Sequence, residues 1–312
     1  MRAFIFPGQG SQSVGMGAAL GGASRPARDI FETVDEALGE NLFRLMRDGP
    51  EDELKLTENA QPAIMANSMA VFAALTREGG VSLEKAAQFV AGHSLGEYSA
   101  LCAGQSFDLA TTAKLLKLRG QAMQAAVPVG VGAMAALLGA DVDLARRIAE
   151  TAAQGEVCTV ANDNDPSQVV ISGHTGAIER AIGLAKEMGA KRALLLPVSA
   201  PFHCPLMQPA ADAMAKALGQ TQISAPLVPL YANVTAAPVA DPDIIRDQLV
   251  DQVTGMVRWR ESIANMAAAG VEEFVELGGK VLGPMIKRIA PEAKVTSVVT
   301  IEDIEALAKE IA

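Results

Sequence analysis

The sequence predicts an α/β fold: a largely parallel sheet covered by helices, with a smaller ferredoxin-like βαββαβ subdomain inserted into it. Short apolar runs alternate with helical patterns up to Pro128, the rhythm of strand, turn and helix in which parallel sheets are built. After Pro128 and Gly130 the order becomes strand, helix, strand, strand, helix, strand. A proline-rich stretch, "LPVSAPFHCP", then returns the chain to the larger part.

Taken in order, residues 2–6 (RAFIF) read as the first strand, broken at Pro7, and helical patterns follow at 26–38 and 62–78. Residues 87–91 form another short apolar strand. It ends in "GHSLGEYSALCAG", whose segment 94–103 has helical spacing. Residues 111–127 continue as a long helix that stops at Pro128. In the second rhythm the strands are 133–138, 157–161, 169–172 and 192–198, and the helices 142–153 and 177–188. The expected division is therefore a small subdomain at 129–198 and a large domain assembled from 1–128 and 199–312, with no internal repeat or low-complexity tract.

The 312 residues, half of them apolar, suffice to bury a large core. A net charge of −10 argues against nucleic acid as a general partner, so any anionic ligand needs a local cluster of basic groups. Cys102, Cys158 and Cys204 are too few and too scattered for a disulfide framework, and no C-x-x-C pair suggests a metal; a reducing cytoplasm is expected. The first apolar run is too short for a signal segment. Two uncharged stretches, 120–140 and 193–211, approach the length of a membrane span, but their glutamines, glycines, prolines and His203 read as buried strands and turns.

The turn after the first strand, "FPGQGSQ", is not a nucleotide site. A dinucleotide fingerprint needs glycine where Ser13 stands, and no P-loop lysine follows. "GHSLG" at 92–96 matches the G-x-S-x-G elbow, in which glycines let a strand turn sharply into a helix and expose the serine at the helix's positive end. Ser94 is thus a candidate nucleophile, the alternative being a capping serine in a tight turn. Serine needs a base. Of the three histidines, His93 adjoins the serine and should pack and orient the turn, and His174 sits where a subdomain helix starts, a surface or capping position. His203, in the kinked segment where the chain re-enters the large domain, is left as the base. No orienting acid announces itself: Glu97, Asp141, Asp163 and Asp165 are all open, as is a backbone carbonyl.

Five ordered blocks, "FPGQGSQ", "GHSLGEYSAL", "LRGQAMQ", "SAPFHCPLM" and "DQVTGMVRW", together resemble the malonyl-CoA:acyl carrier protein transacylase family of bacterial fatty acid synthesis, over essentially the whole chain. The resemblance implies a hydrolase-like core with the active site between it and the ferredoxin-like subdomain. It implies Ser94 as nucleophile, His203 as base, the backbone N–H groups of Gln9 and Leu95 as oxyanion donors, and the main-chain carbonyl of Gln252 as the group that orients the histidine. It assigns Arg119 to the free carboxylate of the malonyl group, a choice that the planar fork of arginine supports. An aromatic residue before the base, here Phe202, goes in related acyltransferase domains with malonyl rather than branched acyl groups.

The cycle so implied is ping-pong, with malonyl-CoA and acyl carrier protein as partners, a CoA thioester as substrate, and no metal or tightly bound cofactor. A monomer is the default expectation. Both partners are acidic while the chain itself carries −10, so Lys280, Lys287 and Arg288 are candidates for carrier-protein docking, with Lys191 and Arg192 as a second cluster. A serine esterase or thioesterase, and a malonyltransferase serving polyketide synthesis, stay open as alternatives.

Overall fold

The computed structural model describes residues 1–311 and arranges ten strands in two sheets. In chain order these are β1 (Arg2–Phe6), β2 (Phe89–Gly92), β3 (Gly132–Leu138), β4 (Cys158–Asp165), β5 (Gln168–His174), β6 (Arg192–Leu195), β7 (Leu230–Tyr231), β8 (Pro238–Val239), β9 (Glu273–Leu277) and β10 (Lys294–Val298). The larger sheet has the order β10-β9-β1-β2-β7-β8 and is parallel except for the β7–β8 pair. β1 is a central strand with helices on both of its faces, so its apolar run is continuous rather than alternating. Phe4 and Phe6 join the cluster around Ile64, Met65 and Leu101, while Ala3 and Ile5 join Trp259, Ile263 and Phe274 on the other face.

The smaller sheet is antiparallel in the order β4-β5-β3-β6, the ferredoxin-like arrangement expected for a βαββαβ unit. Its helices, Val142–Ala153 and Thr175–Ala185, pack Ile148 and Ile178 with Leu137 and Ile171 of the strands in a hydrophobic cluster of their own. Met134, Ala136, Ala161 and Val170 of the same sheet join the main core instead.

The structure differs from the expected elements in informative places. β4 runs on to Asp165, past the expected end at residue 161 and through the polar stretch 162–165. It can do so because Asp163 and Asp165, both with fully buried side chains, are ion-paired to Arg260 (2.8 Å) and Arg288 (2.7 Å) of the large domain. Backbone bonds between Val257 and both Ala161 and Asp163 continue the join. β6 ends at Leu195, just before Leu196 and Pro197, and the helix after the elbow begins at Gly96 rather than at residue 94. β7 to β10 have no counterpart among the expected strands. Among the described residues, no helix is long and apolar enough to cross a membrane.

Candidate active site

Ser94 stands between the C-terminal end of β2 and the helix Gly96–Ala103, in the left-handed region at φ 53°. A side chain at Gly92 would lie 1.9 Å from the Gly96 carbonyl, so the elbow closes only with glycine there. The loop after β1 comes equally close: a Cβ on Gly8 would meet the His93 carbonyl oxygen at 2.6 Å. Two segments far apart in the chain are thereby pressed together at the mouth of a cavity of about 350 Å³.

That cavity is lined by Gln9, Ser94, Leu95, Arg119, Phe202 and His203, together with Gln61, His93, Met123, Met134 and residues 196–198. Ser94 Oγ is 2.8 Å from His203 Nε2. His203 Nδ1 is 2.8 Å from the main-chain oxygen of Gln252. A carbonyl only accepts, so Nδ1 carries the proton and Nε2 is left to accept from the serine hydroxyl. A peptide carbonyl therefore holds His203 in the tautomer that a general base would need. Burial, then the nearby Arg119 charge, push the His203 pKa down to about 3, which keeps the ring neutral and able to take a proton.

None of the four candidate acids reaches His203. Glu97 accepts from the Asn233 backbone N–H and the Gln252 side-chain amide, and burial raises its pKa to about 7. Asp141 caps the helix Val142–Ala153, and Asp163 and Asp165 hold their arginines. His93 Nε2 lies 2.8 Å from Asn164 Oδ1, with its ring edge-on to Trp259, as befits a packing role beside the elbow. His174 precedes the helix Thr175–Ala185, and its Nδ1 accepts from the Val157 N–H.

Two of the residues that line the cavity with Ser94 leave backbone donors unused. Among the described residues the N–H groups of Gln9 and Leu95 make no internal hydrogen bond, whereas the Ser94 N–H is taken by Asn233 Oδ1 at 2.8 Å. Free amides on two converging segments are what an oxyanion hole requires.

Arg119, on the helix Leu109–Ala125, is only 1% exposed. Nη1 donates to Gln61 Oε1 (2.8 Å), and Nη2 to Gln252 Oε1 (2.7 Å) and Ser94 Oγ (3.2 Å), with the guanidinium carbon 5.8 Å from the centre of the Tyr98 ring. Its Nε has no partner. No carboxylate pairs with it among the described residues. Neutral amides thus orient a buried cation without neutralising it, leaving its charge for something that enters the cavity. Phe202, 8% exposed, forms part of the wall with Met123 and Met134.

Lys280, Lys287 and Arg288 are exposed and lie outside the cavity lining. Lys287 Nζ donates to the Ala293 carbonyl and Arg288 is engaged with Asp165, so two of the three have structural partners. Gln61, Asn233 and the side chain of Gln252 are the site groups that sequence reasoning missed. "YANVTAA" offered a polar residue in an apolar setting at Asn233, but nothing local tied it to the serine. Among the described residues no cluster of three or more His, Cys, Asp or Glu side chains is placed to hold a metal ion.

The chain is similar to known proteins over nearly all of its length. The model of the acyl transferase domain family matches residues 3–281. The chain is 46% identical over 288 residues to the malonyl CoA-acyl carrier protein transacylase of Escherichia coli K12, an alignment covering 92% of each chain. A crystal structure of the acyl-carrier-protein S-malonyltransferase from Bartonella henselae is 52% identical, with a TM-score of 0.97 and 99% of each chain covered. A malonyl-transacylase solved in complex with its type II polyketide acyl-carrier protein is 39% identical, with a TM-score of 0.95 over 99% of each chain.

Proposed function

Since this chain belongs to the acyl transferase domain family, among the malonyl CoA-acyl carrier protein transacylases, we propose the following chemistry for its site. The protein is an acyltransferase that moves the malonyl group from malonyl-CoA to the phosphopantetheine thiol of acyl carrier protein, supplying extender units for fatty acid synthesis. The observation that carries this reading is Arg119: a buried guanidinium with no carboxylate partner, one hydrogen bond from the serine hydroxyl.

Malonyl-CoA enters with its carboxylate toward Arg119, and the two form a charge-assisted pair. His203 Nε2 takes the proton as Ser94 Oγ attacks the thioester carbonyl. The Gln9 and Leu95 N–H groups receive the negative oxygen of the tetrahedral intermediate, each such donor being worth about 10²- to 10³-fold in rate. As the intermediate collapses the C–S bond breaks, His203 returns its proton to the CoA thiol, and malonyl-Ser94 remains. The malonyl carboxylate lies one methylene beyond the ester carbonyl, so the 3.2 Å from Arg119 to Oγ sets it within reach of the clamp. In the second half the carrier-protein thiol gives its proton to His203, attacks the ester and leaves with the malonyl group, and Ser94 is reprotonated. Phe202 narrows the acyl wall against branched groups. The residues of this chain supply every proton transfer and charge contact in the cycle, with the CoA thioester as substrate. The enzyme acts as a cytoplasmic monomer, and Lys280 and Lys287 contribute to carrier docking.

Against an esterase or thioesterase stands the same arginine, because water as acceptor needs no malonyl-selective clamp. Mixing enzyme with excess malonyl-CoA should release one equivalent of CoA per enzyme and then stall until holo-carrier protein is added. Continuous release without carrier would make the protein a hydrolase.

A further inference from the structure

Ser94 is not glycine, yet it holds a left-handed conformation that side chains rarely adopt. Something must hold it there. β7 runs parallel to β2 with Val90 opposite Leu230 and Ala91 opposite Tyr231, and the ladder stops where the elbow begins. Two residues past the end of β7, the Asn233 side chain continues it. Its Nδ2 donates to the Gly92 carbonyl at 2.7 Å, and its Oδ1 accepts from the Ser94 N–H at 2.8 Å. The amide orientation is determined by these partners, since a flip would oppose two donors on one side and two acceptors on the other.

Asn233 is itself held by its backbone: its N–H donates to Glu97 Oε1 (3.2 Å) and its carbonyl accepts from the Arg258 N–H (3.0 Å). It is 1% exposed, and all of its polar groups are engaged. The Gln252 side chain grips the elbow from another side, donating to the Ser94 carbonyl at 3.0 Å.

We propose that Asn233 is a positioning residue: its side-chain amide acts as an extra rung between β7 and the elbow, locking residue 94 left-handed so that Oγ faces His203 while the Leu95 N–H, not the Ser94 N–H, is left for the oxyanion. This rests on Ser94 as nucleophile. Losing both elbow bonds, at about five- to tenfold each, should slow reaction of the serine by roughly 30- to 100-fold.

Asn233→Asp provides a readout that volume filling alone does not move. Protonated, the new carboxyl donates to the Gly92 carbonyl and accepts from the Ser94 N–H, restoring both bonds. Ionised, it can only accept and opposes the Gly92 carbonyl. The charged and titratable groups around it are Glu97 on the elbow helix, whose carboxylate favours the protonated form, and Arg258, whose guanidinium is turned to Glu261. Arg119 and His203 meet the same serine through its Oγ.

The assay is the rate of Ser94 sulfonylation by phenylmethylsulfonyl fluoride, which needs neither malonyl group nor carrier and so is read independently of malonyl transfer. Relative to wild type at each pH, Asn233→Asp should be slow near pH 9 and recover about tenfold or more toward pH 5.5, while Asn233→Ala stays slow throughout, with KM for malonyl-CoA within about threefold. Ratios flat with pH for Asn233→Asp, or rates within about threefold of wild type for both variants, would overturn the inference; so would absence of labelling at Ser94 in the wild type. Melting curves on the same samples confirm that the slow variants are folded.

Discussion

Replacing Arg119 by alanine should turn a malonyl-selective site into one that prefers uncharged acyl groups. The guanidinium is 1% exposed, and its three acceptors are two amide oxygens and the serine hydroxyl. An incoming carboxylate would be the first to bond it directly, since Glu97 acts on it only across the Gln252 amide. Charge-assisted hydrogen bonds are worth about 1.5 to 3 kcal/mol each, so a forked pair in this buried setting contributes about 3 to 6 kcal/mol. At about 1.4 kcal/mol per factor of ten, kcat/KM for malonyl-CoA should fall roughly 10²- to 10⁴-fold in Arg119→Ala. Acetyl-CoA has no carboxylate, so its acylation rate should change by less than about tenfold, through the loss of the 3.2 Å contact to Oγ alone. Arg119→Lys should fall between, keeping the charge without the fork. The assay is rapid quench of enzyme with each thioester, followed by mass measurement of the acylated serine. Equal losses for the malonyl and acetyl groups would refute the clamp.

Three further outcomes follow from the same contacts. Because burial and then Arg119 hold His203 near 3, the ring stays neutral as pH falls, and the acid limb of Ser94 acylation should lie well below the ordinary imidazole value of 6.5; a main loss of rate centred near 6.5 with a small ester would contradict this. Gln252→Ala keeps the main-chain carbonyl on His203 but removes both the acceptor on Arg119 and the donor to the Ser94 carbonyl, so both transfers should slow and malonyl transfer should fall more than acetyl transfer, and equal losses, measured by the same quench, would leave the side chain with its elbow role alone. Charge reversal at Lys280 and Lys287 should raise the carrier protein's KM without changing the rate of acylation by malonyl-CoA, whereas Arg288→Glu should lower the melting temperature by exposing the buried Asp165 to a like charge; an unchanged carrier KM in the first variant, or an unchanged melting temperature in the second, would remove the corresponding role.

What was legible in the sequence was local. The elbow shows because Gly92 is demanded by atoms within the same turn, although Gly96 is demanded by the Phe6 and Pro7 carbonyls at the end of β1, and the βαββαβ unit shows because each element carries its own hydrophobic period. The pairing of residues 94 and 203 was reached by elimination among three histidines. Asn233, Gln61 and the Gln252 side chain escaped because their partners lie tens to hundreds of residues away and each is an ordinary amide in its own segment. β4 was cut short for a related reason: "NDND" is turn-like until the arginines that satisfy its carboxylates arrive from residues 260 and 288. The short strands β7 and β8, two residues each, are defined by their neighbours rather than by any pattern of their own.

Everything in the proposed cycle passes through one ester. The direct measurement is the mass of the peptide containing Ser94 after brief mixing with malonyl-CoA, and again after addition of holo-carrier protein. The expected result is a gain of about 86 Da, the malonyl group C₃H₂O₃, on Ser94, lost when the carrier is added and never formed in Ser94→Ala. Malonyl reaching the carrier with Ser94 unmodified throughout, or still transferred at full rate by Ser94→Ala, would contradict the account.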